Sequence, residues 1–150
     1  MNGGEHRMFV KQISVFLENR AGSLAGFTKQ LGDHGVDLMS LSIADTTDFG
    51  ILRCIVADYA QAQALLAEAG YSVKLTDVIA VSIPDHPGAL ADVLSALSSH
   101  DIGLEYLYSF FRNHGDHALI IIRVDKPAEA VEVLQNAGVK MLTQEDLQTV

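Results

Sequence analysis

Apolar and polar positions fall into two repeating periods along the chain. Phe9, Lys11, Ile13, Val15 and Leu17 alternate with Val10, Gln12, Ser14 and Phe16, which predicts a strand with apolar residues on both faces. Leu24, Phe27, Thr28 and Leu31 then recur at helical spacing, so about 21–34 predicts a helix with one buried stripe, ended by His34 and Gly35. Val36 to Ala44 and Gly50 to Ala57 read as two more strands around a polar turn, Asp45 to Phe49. Asp58 is placed to cap a second helix, with Ala62, Leu65, Leu66 and Ala69 inward and Gly70 at its end. Val73 to Leu75 makes a short fourth strand.

The same order then repeats. Val78 to Ile83 predicts a strand. Pro87 starts a helix burying Leu90, Val93, Leu94 and Leu97, with His100 at the place of His34. Ile102 to Phe111 and Ala118 to Val124 read as strands around the turn Arg112 to Asp116. Asp125 is expected to cap a last helix that carries Pro127 in its first turn and buries Ala130, Leu134 and Ala137. Gly138 ends it, Lys140 to Thr143 is the last strand, and Gln144 to Val150 reads as a tail. Each copy is β-α-β-β-α-β, so the fold class is α+β, with two ferredoxin-like antiparallel sheets that carry their helices on one face. The expected domains are 8–76 and 77–147.

Composition narrows the function classes. Of 150 residues 49% are hydrophobic and 19% charged, which suits sheets whose second face is also covered. Units this small are marginal alone and are expected to pack on each other or on a second chain. The formal charge of −9 and ten scattered Lys and Arg offer no basic footprint for nucleic acid. No apolar run approaches a membrane span, and the start, Met1 to Lys11, shows no signal-peptide core, so the expected default compartment is the cytoplasm; Met1 to Arg7 is polar and is expected to fray. The single cysteine, Cys54, reads as core packing.

The chemistry-bearing stretch is Glu18-Asn19-Arg20-Ala21-Gly22-Ser23-Leu24, echoed by Pro84-Asp85-His86-Pro87-Gly88-Ala89-Leu90. Each lies between a strand and a helix N-terminus, where unpaired N–H groups and the positive dipole end suit a carboxylate. Gly22 and Gly88 would let a ligand approach the backbone. Asn19 and Asp85 would either recognise an ammonium group or simply cap their own helices.

Two such turns in this strand order resemble tandem ACT domains over about residues 8–147, with Ala21 in place of the usual proline and Pro87 keeping it. Ile43-Ala44-Asp45, Asp48-Phe49-Gly50-Ile51-Leu52-Arg53 and Glu105-Tyr106-Leu107-Tyr108-Ser109-Phe110 add a similarity to small stand-alone members of that family. The resemblance implies a non-catalytic regulatory protein that binds a free amino acid between the turn and the second strand of a neighbouring ACT domain. The implied ligand residues are Asn19, Arg20, Ala21, Gly22, Ser23, Leu24, Leu41 and Ile43 in the first copy. In the second they are Asp85, His86, Pro87, Gly88, Ala89, Leu90, Tyr106, Tyr108 and Ser109. In serine-responsive members the asparagine matching Asn19 holds the ligand and a histidine stands two residues earlier. That position is Leu17 here, which argues against serine. Tyr106, Tyr108 and Phe110 tilt the expected ligand towards an aromatic, imidazole or branched side chain, unless they serve interface packing.

The two residues between Leu75 and Val78 cannot span the about 29 Å that intrachain pairing of second strands needs, so the expectation is pairing between chains in a homodimer or exchange of a strand, with an intrachain contact through another edge as the alternative. The alternative function is a structural subunit docking on an amino-acid metabolic enzyme without a ligand. No cofactor or metal is implied. Asp48-Phe49-Gly50 lacks the rest of a kinase site, and His114 and His117 with Asp116 sit in a hairpin with no cysteine partner. No Ser/His/Asp or Cys/His nucleophile order is legible. His34 and His100 read as helix-end residues, and Arg53 and Arg123 as partners of acids at an interface.

Overall fold

A computed structural model describes residues 8–45, 48–112 and 115–150. The expectations for Met1 to Arg7 and for His114 lie outside the described residues. The elements are β1 (Phe9–Glu18), α1 (Ser23–Asp33), β2 (Leu38–Asp45), β3 (Phe49–Val56), α2 (Tyr59–Glu68), β4 (Val73–Pro84), α3 (Ala89–Ser98), β5 (Leu104–Ser109), β6 (His117–Val124), α4 (Pro127–Asn136) and β7 (Lys140–Leu142). Contacts divide the chain into Lys11–Thr76 and a second unit formed by residues 8–10 with Asp77–Val150.

In the first unit β3 lies between β1 and β2, antiparallel to both, with Val15 opposite Leu52 and Ile43 opposite Leu52 from the other side. Ile13, Val15, Leu17, Leu52, Cys54 and Val56 point to the helix side and pack with Phe27 and Leu31 of α1 and Ala62 and Leu66 of α2. Burying each of the larger side chains contributes about 1.5–3 kcal/mol. Leu24, expected in the buried stripe, is 38% exposed, because it sits at the open first turn of α1.

The second unit repeats the plan in the order β5-β6-β4-β7, all antiparallel, which is the ferredoxin-like arrangement. Its core joins Ile79, Val81, Ile83, Ile120, Ile122 and Val124 to Val93 and Leu97 of α3 and Ala130, Val131 and Leu134 of α4, with Phe9 included. In both units the sheet face away from the helices is also buried, at Gln12, Ser40 and Ile55 in one and at Ala80, Leu119 and Ile121 in the other.

Three expectations are corrected. Val73 to Leu75 and Val78 to Ile83 are one uninterrupted strand, β4. Thr76-Asp77 offers no turn-forming glycine or proline, and the Arg123 guanidinium grips the Asp77 carbonyl at 2.7 Å. Asp125 does not cap α4, whose N-cap is Lys126 without a side-chain bond. Asp125 instead accepts from the Gly103 amide. The tail is not loose: Asp146–Thr149 is a 3-10 turn with Leu147 buried. Thr143 and Asp146 close it reciprocally, the Thr143 amide donating to Asp146 Oδ2 at 2.8 Å and the Asp146 amide to Thr143 Oγ1 at 3.2 Å.

Other predicted devices are present. Asp58 accepts from the Gln61 amide at 3.1 Å. The His34 and His100 rings bond the carbonyls of Gln30 and Ala96, each one turn earlier, at 2.9 and 3.0 Å. Gly35, Gly70 and Gly138 leave their helices at positive φ. Arg123 does pair with an acid, Glu105 at 3.3 Å, but on the adjacent strand of its own sheet.

Candidate functional site

The two helix mouths are built alike, bond for bond. In the first copy the Asn19 amide donates to the Asp48 carbonyl at 3.0 Å, Arg20 to Glu18, Ser23 to Arg20, and Gly26 to Gly22. In the second the Asp85 amide donates to Asp116 at 3.0 Å, His86 to Pro84, Ala89 to His86, and Asp92 to Gly88. The turn is thus pinned by its own backbone to the hairpin beside it.

The N-caps are Gly22 and Gly88, at φ 91° in both cases, and neither helix has a side-chain cap bond. The capping alternative for Asn19 and Asp85 is therefore not what the structure contains. The amides of Leu24 and Ala25, and of Leu90 and Ala91, have no acceptor among the described hydrogen bonds. The backbone gives glycine a second reason at both positions. A Cβ at Gly22 or Gly88 would meet nothing within 4 Å, so room is available, and it is the left-handed backbone that favours glycine.

Cavities adjoin both mouths. In the first copy one of about 640 Å³ is lined by Phe16, Leu17 and Glu18 of β1, by Arg20, Ala21 and Gly22 of the turn, by Ser23 and Gly26 of α1, and by Tyr71. A smaller one of about 90 Å³ joins Asn19, Arg20, Ser23 and Leu24 to Ile43 and Leu52. In the second copy a cavity of about 310 Å³ takes His86, Ala89, Asp92, His117 and Lys140 with apolar neighbours from β4 and the end of α4. The two larger volumes fall in the range of small-molecule sites. Glu18 and Arg20 form an exposed ion pair at 3.2 Å in the first turn. In the second, His117 Nδ1 bonds Asp116 at 2.8 Å, and this bond, with the charge of His117, holds the Asp116 carboxyl below its usual range.

The predicted residues separate into groups. Asn19, Arg20, Ala21, Gly22, Ser23, Leu24 and Ile43 come together around the first mouth, whereas Leu41 lines neither of its cavities. His86 and Ala89 line the second cavity, while Asp85, Pro87, Gly88 and Leu90 shape its turn without lining it. Tyr106, Tyr108 and Ser109 line none of these cavities. Tyr106 and Tyr108 stand opposite Arg123 and Ile121, on the sheet face away from α3, and stack at 6.5 Å. Ser109 stands opposite Ile120, on the helix face.

Tyr106 and Tyr108 therefore correspond to Ser40 and Ser42 rather than to Leu41 and Ile43, since Ser40 and Ser42 stand opposite Ile55 and Arg53, on the face away from the helices. Tyr108 and Phe110 are buried. Cavity residues not foreseen include Tyr71, Gly26 and Asp92. Their helical and post-glycine positions give no chemical signal alone, but equal spacing from the two turns would have pointed to Gly26 and Asp92. No group of three His, Cys, Asp or Glu that could hold a metal occurs among the described residues.

With this geometry in hand, the chain belongs to the ACT domain pair family, whose model matches residues 8–150. It is similar to protein BT0572 from Bacteroides thetaiotaomicron, at 39% identity and TM-score 0.88, over 95% of this chain and 98% of that one. It shares its fold with the ligand-free regulatory subunit of aspartate kinase from Thermus thermophilus, at 19% identity and TM-score 0.63, over 87% and 93% of the two chains. The regulatory subunit of aspartate kinase from Thermus flavus follows at 21% identity and TM-score 0.56, over 85% and 92%. No curated protein matches the chain. No helix among the described residues is long and apolar enough to cross a membrane.

Proposed function

We propose that this chain is a non-catalytic regulatory protein that binds a free amino acid at the mouth of α1 and passes the change to a partner enzyme. The observation that carries the reading is the open N-terminus of α1, uncapped by any side chain and facing a cavity of about 640 Å³. The ligand would lie where the larger cavity meets the smaller one at Glu18, Arg20 and Ser23, its carboxylate reaching the amides of Leu24, which lines the smaller cavity, and Ala25, which lines neither, and its ammonium group near Glu18 and Asn19. The second strand of a neighbouring chain in a homodimer would close the site, since β2 and β5 each pair with one strand only among the described pairings. The ligand acts by favouring the arrangement of the pair that it bridges.

Thermal shift against the twenty amino acids tests this. A ligand at a hundred times its Kd stabilises by about 2.7 kcal/mol, or about 5–10 °C for a chain of this size. Asn19→Ala is expected to weaken the shift, and no shift at millimolar concentrations with any amino acid overturns the reading.

A structural subunit that docks without ligand is favoured by one observation, the exposed rings Phe16 and Phe49 at one end of the first sheet. Capture of a partner enzyme that is indifferent to Asn19→Ala and to every amino acid would support it.

A further inference from the structure

The cavity beside the first mouth and that beside the second occupy matching places but are not lined alike. Phe16 stands where the second copy has Ser82, Gly26 where it has Asp92, and Tyr71, just after Gly70, where it has Val139, just after Gly138. The first is about twice as large, about 640 against 310 Å³. α1 has no acidic residue in its first turn, and a Cβ at Gly26 would meet open space. In α3 Asp92 occupies that first turn and lines the cavity. A carboxylate there already answers the helix dipole and repels a second carboxylate. The first cavity also offers two rings. Tyr71 is held edge-on by the buried Phe27, with centroids 5.4 Å apart and planes at 88°, and Phe16 is 68% exposed.

We propose that only the first copy's cavity takes the amino acid, one per chain, and that it selects a planar side chain, which Phe16 and Tyr71 contact. The helix mouth is common to both copies, so the choice between them rests on Gly26 against Asp92 and on the two rings. The proposal depends on the amino-acid reading above and adds the exclusion of the second cavity, the stoichiometry and the class of side chain.

Calorimetry of the full chain with phenylalanine, tyrosine, tryptophan, histidine, leucine and aspartate, repeated on Gly26→Asp, Asp92→Gly and Tyr71→Val, tests it. The expected result is one site per chain. At least one of the four planar ligands should bind tenfold or more tighter than leucine and aspartate. Gly26→Asp and Tyr71→Val should each weaken that ligand tenfold or more, and Asp92→Gly should leave Kd within twofold. Gly26→Asp places an acid in a first helical turn, where it favours folding, and a thermal melt verifies this. Two sites per chain, equal affinity for leucine, or loss of binding in Asp92→Gly but not Gly26→Asp overturns this inference and leaves amino-acid binding standing. Absence of binding by every amino acid overturns both.

Discussion

Gly103 and Asp125 hold each other across the start of β5 and the end of β6. The Gly103 amide donates to Asp125 Oδ1 at 2.9 Å, and the Asp125 amide donates back to the Gly103 carbonyl at 3.0 Å. A Cβ at Gly103 would lie 2.9 Å from Asp125 Oδ2. Both Gly103→Ala and Asp125→Ala are therefore expected to cost about 1 kcal/mol, the double variant little more than either single one, in urea unfolding. Additive costs would show that the two residues act apart.

Gly22 and Gly88 share one backbone conformation, φ 91° with ψ −16° and −15°. Gly22→Ala and Gly88→Ala should each cost about 1–2 kcal/mol by equilibrium unfolding, from backbone strain alone, because the added methyl meets no neighbour. A cost at one position and none at the other would contradict the repeat at this level.

The Thr143–Asp146 pair anchors Leu147, which is 1% exposed. Asp146→Ala removes an acceptor at the Thr143 amide and should cost about 1–2 kcal/mol. Hydrogen exchange should then quicken over 143–149 while the core strands stay protected. Uniform quickening across the second unit would assign the pair a wider role.

Burial pushes the Cys54 thiol up to about 12 from an ordinary 9.0. The folded chain should not react with a thiol reagent at neutral pH, and unfolding should expose one reactive group. Between pH 9.0 and about 12 only the unfolded chain releases this proton. Stability should therefore fall with rising pH by up to about 1.4 kcal/mol per unit, and Cys54→Ala should remove that part of the slope. Fast labelling in native buffer would contradict the burial.

Much of this structure was legible in the sequence because two periods and two glycine turns repeat in the same order. Asp58, His34, His100 and the αL glycines follow from local chemistry alone, and local chemistry suffices for them. Asp125 looked like a helix cap because an acid before a proline-led helix usually is one. Its competitor, the Gly103 amide, lies 22 residues away and leaves no local trace. The join at Thr76-Asp77 reads as a break because two short apolar runs flank it, although nothing in the pair turns a chain.

The candidate site was legible in its backbone and less so in its walls. The turn residues carry a pattern, whereas Tyr71 reaches the cavity from beyond α2. The second strands misled for another reason. A register shift between Leu38 and Ser40, matched between Leu104 and Tyr106, changes which side chains share a face. The shift falls at the same place in both copies, so counting on from Leu38 and Leu104 pairs Tyr106 with Ser40, whereas matching apolar residue to apolar residue sets Tyr106 beside Leu41. The structural tail was within reach, since Thr143-x-x-Asp146 has the spacing of a capping box.

The central claim is that the free amides at the mouth of α1 receive an amino acid's carboxylate. Amide chemical-shift mapping during titration with the amino acid that gives the largest thermal shift tests it most directly. The account predicts that the Leu24 and Ala25 amides move furthest, with Gly22, Gly26 and Tyr71 following. Binding that leaves Leu24 and Ala25 unmoved while residues elsewhere respond would contradict it.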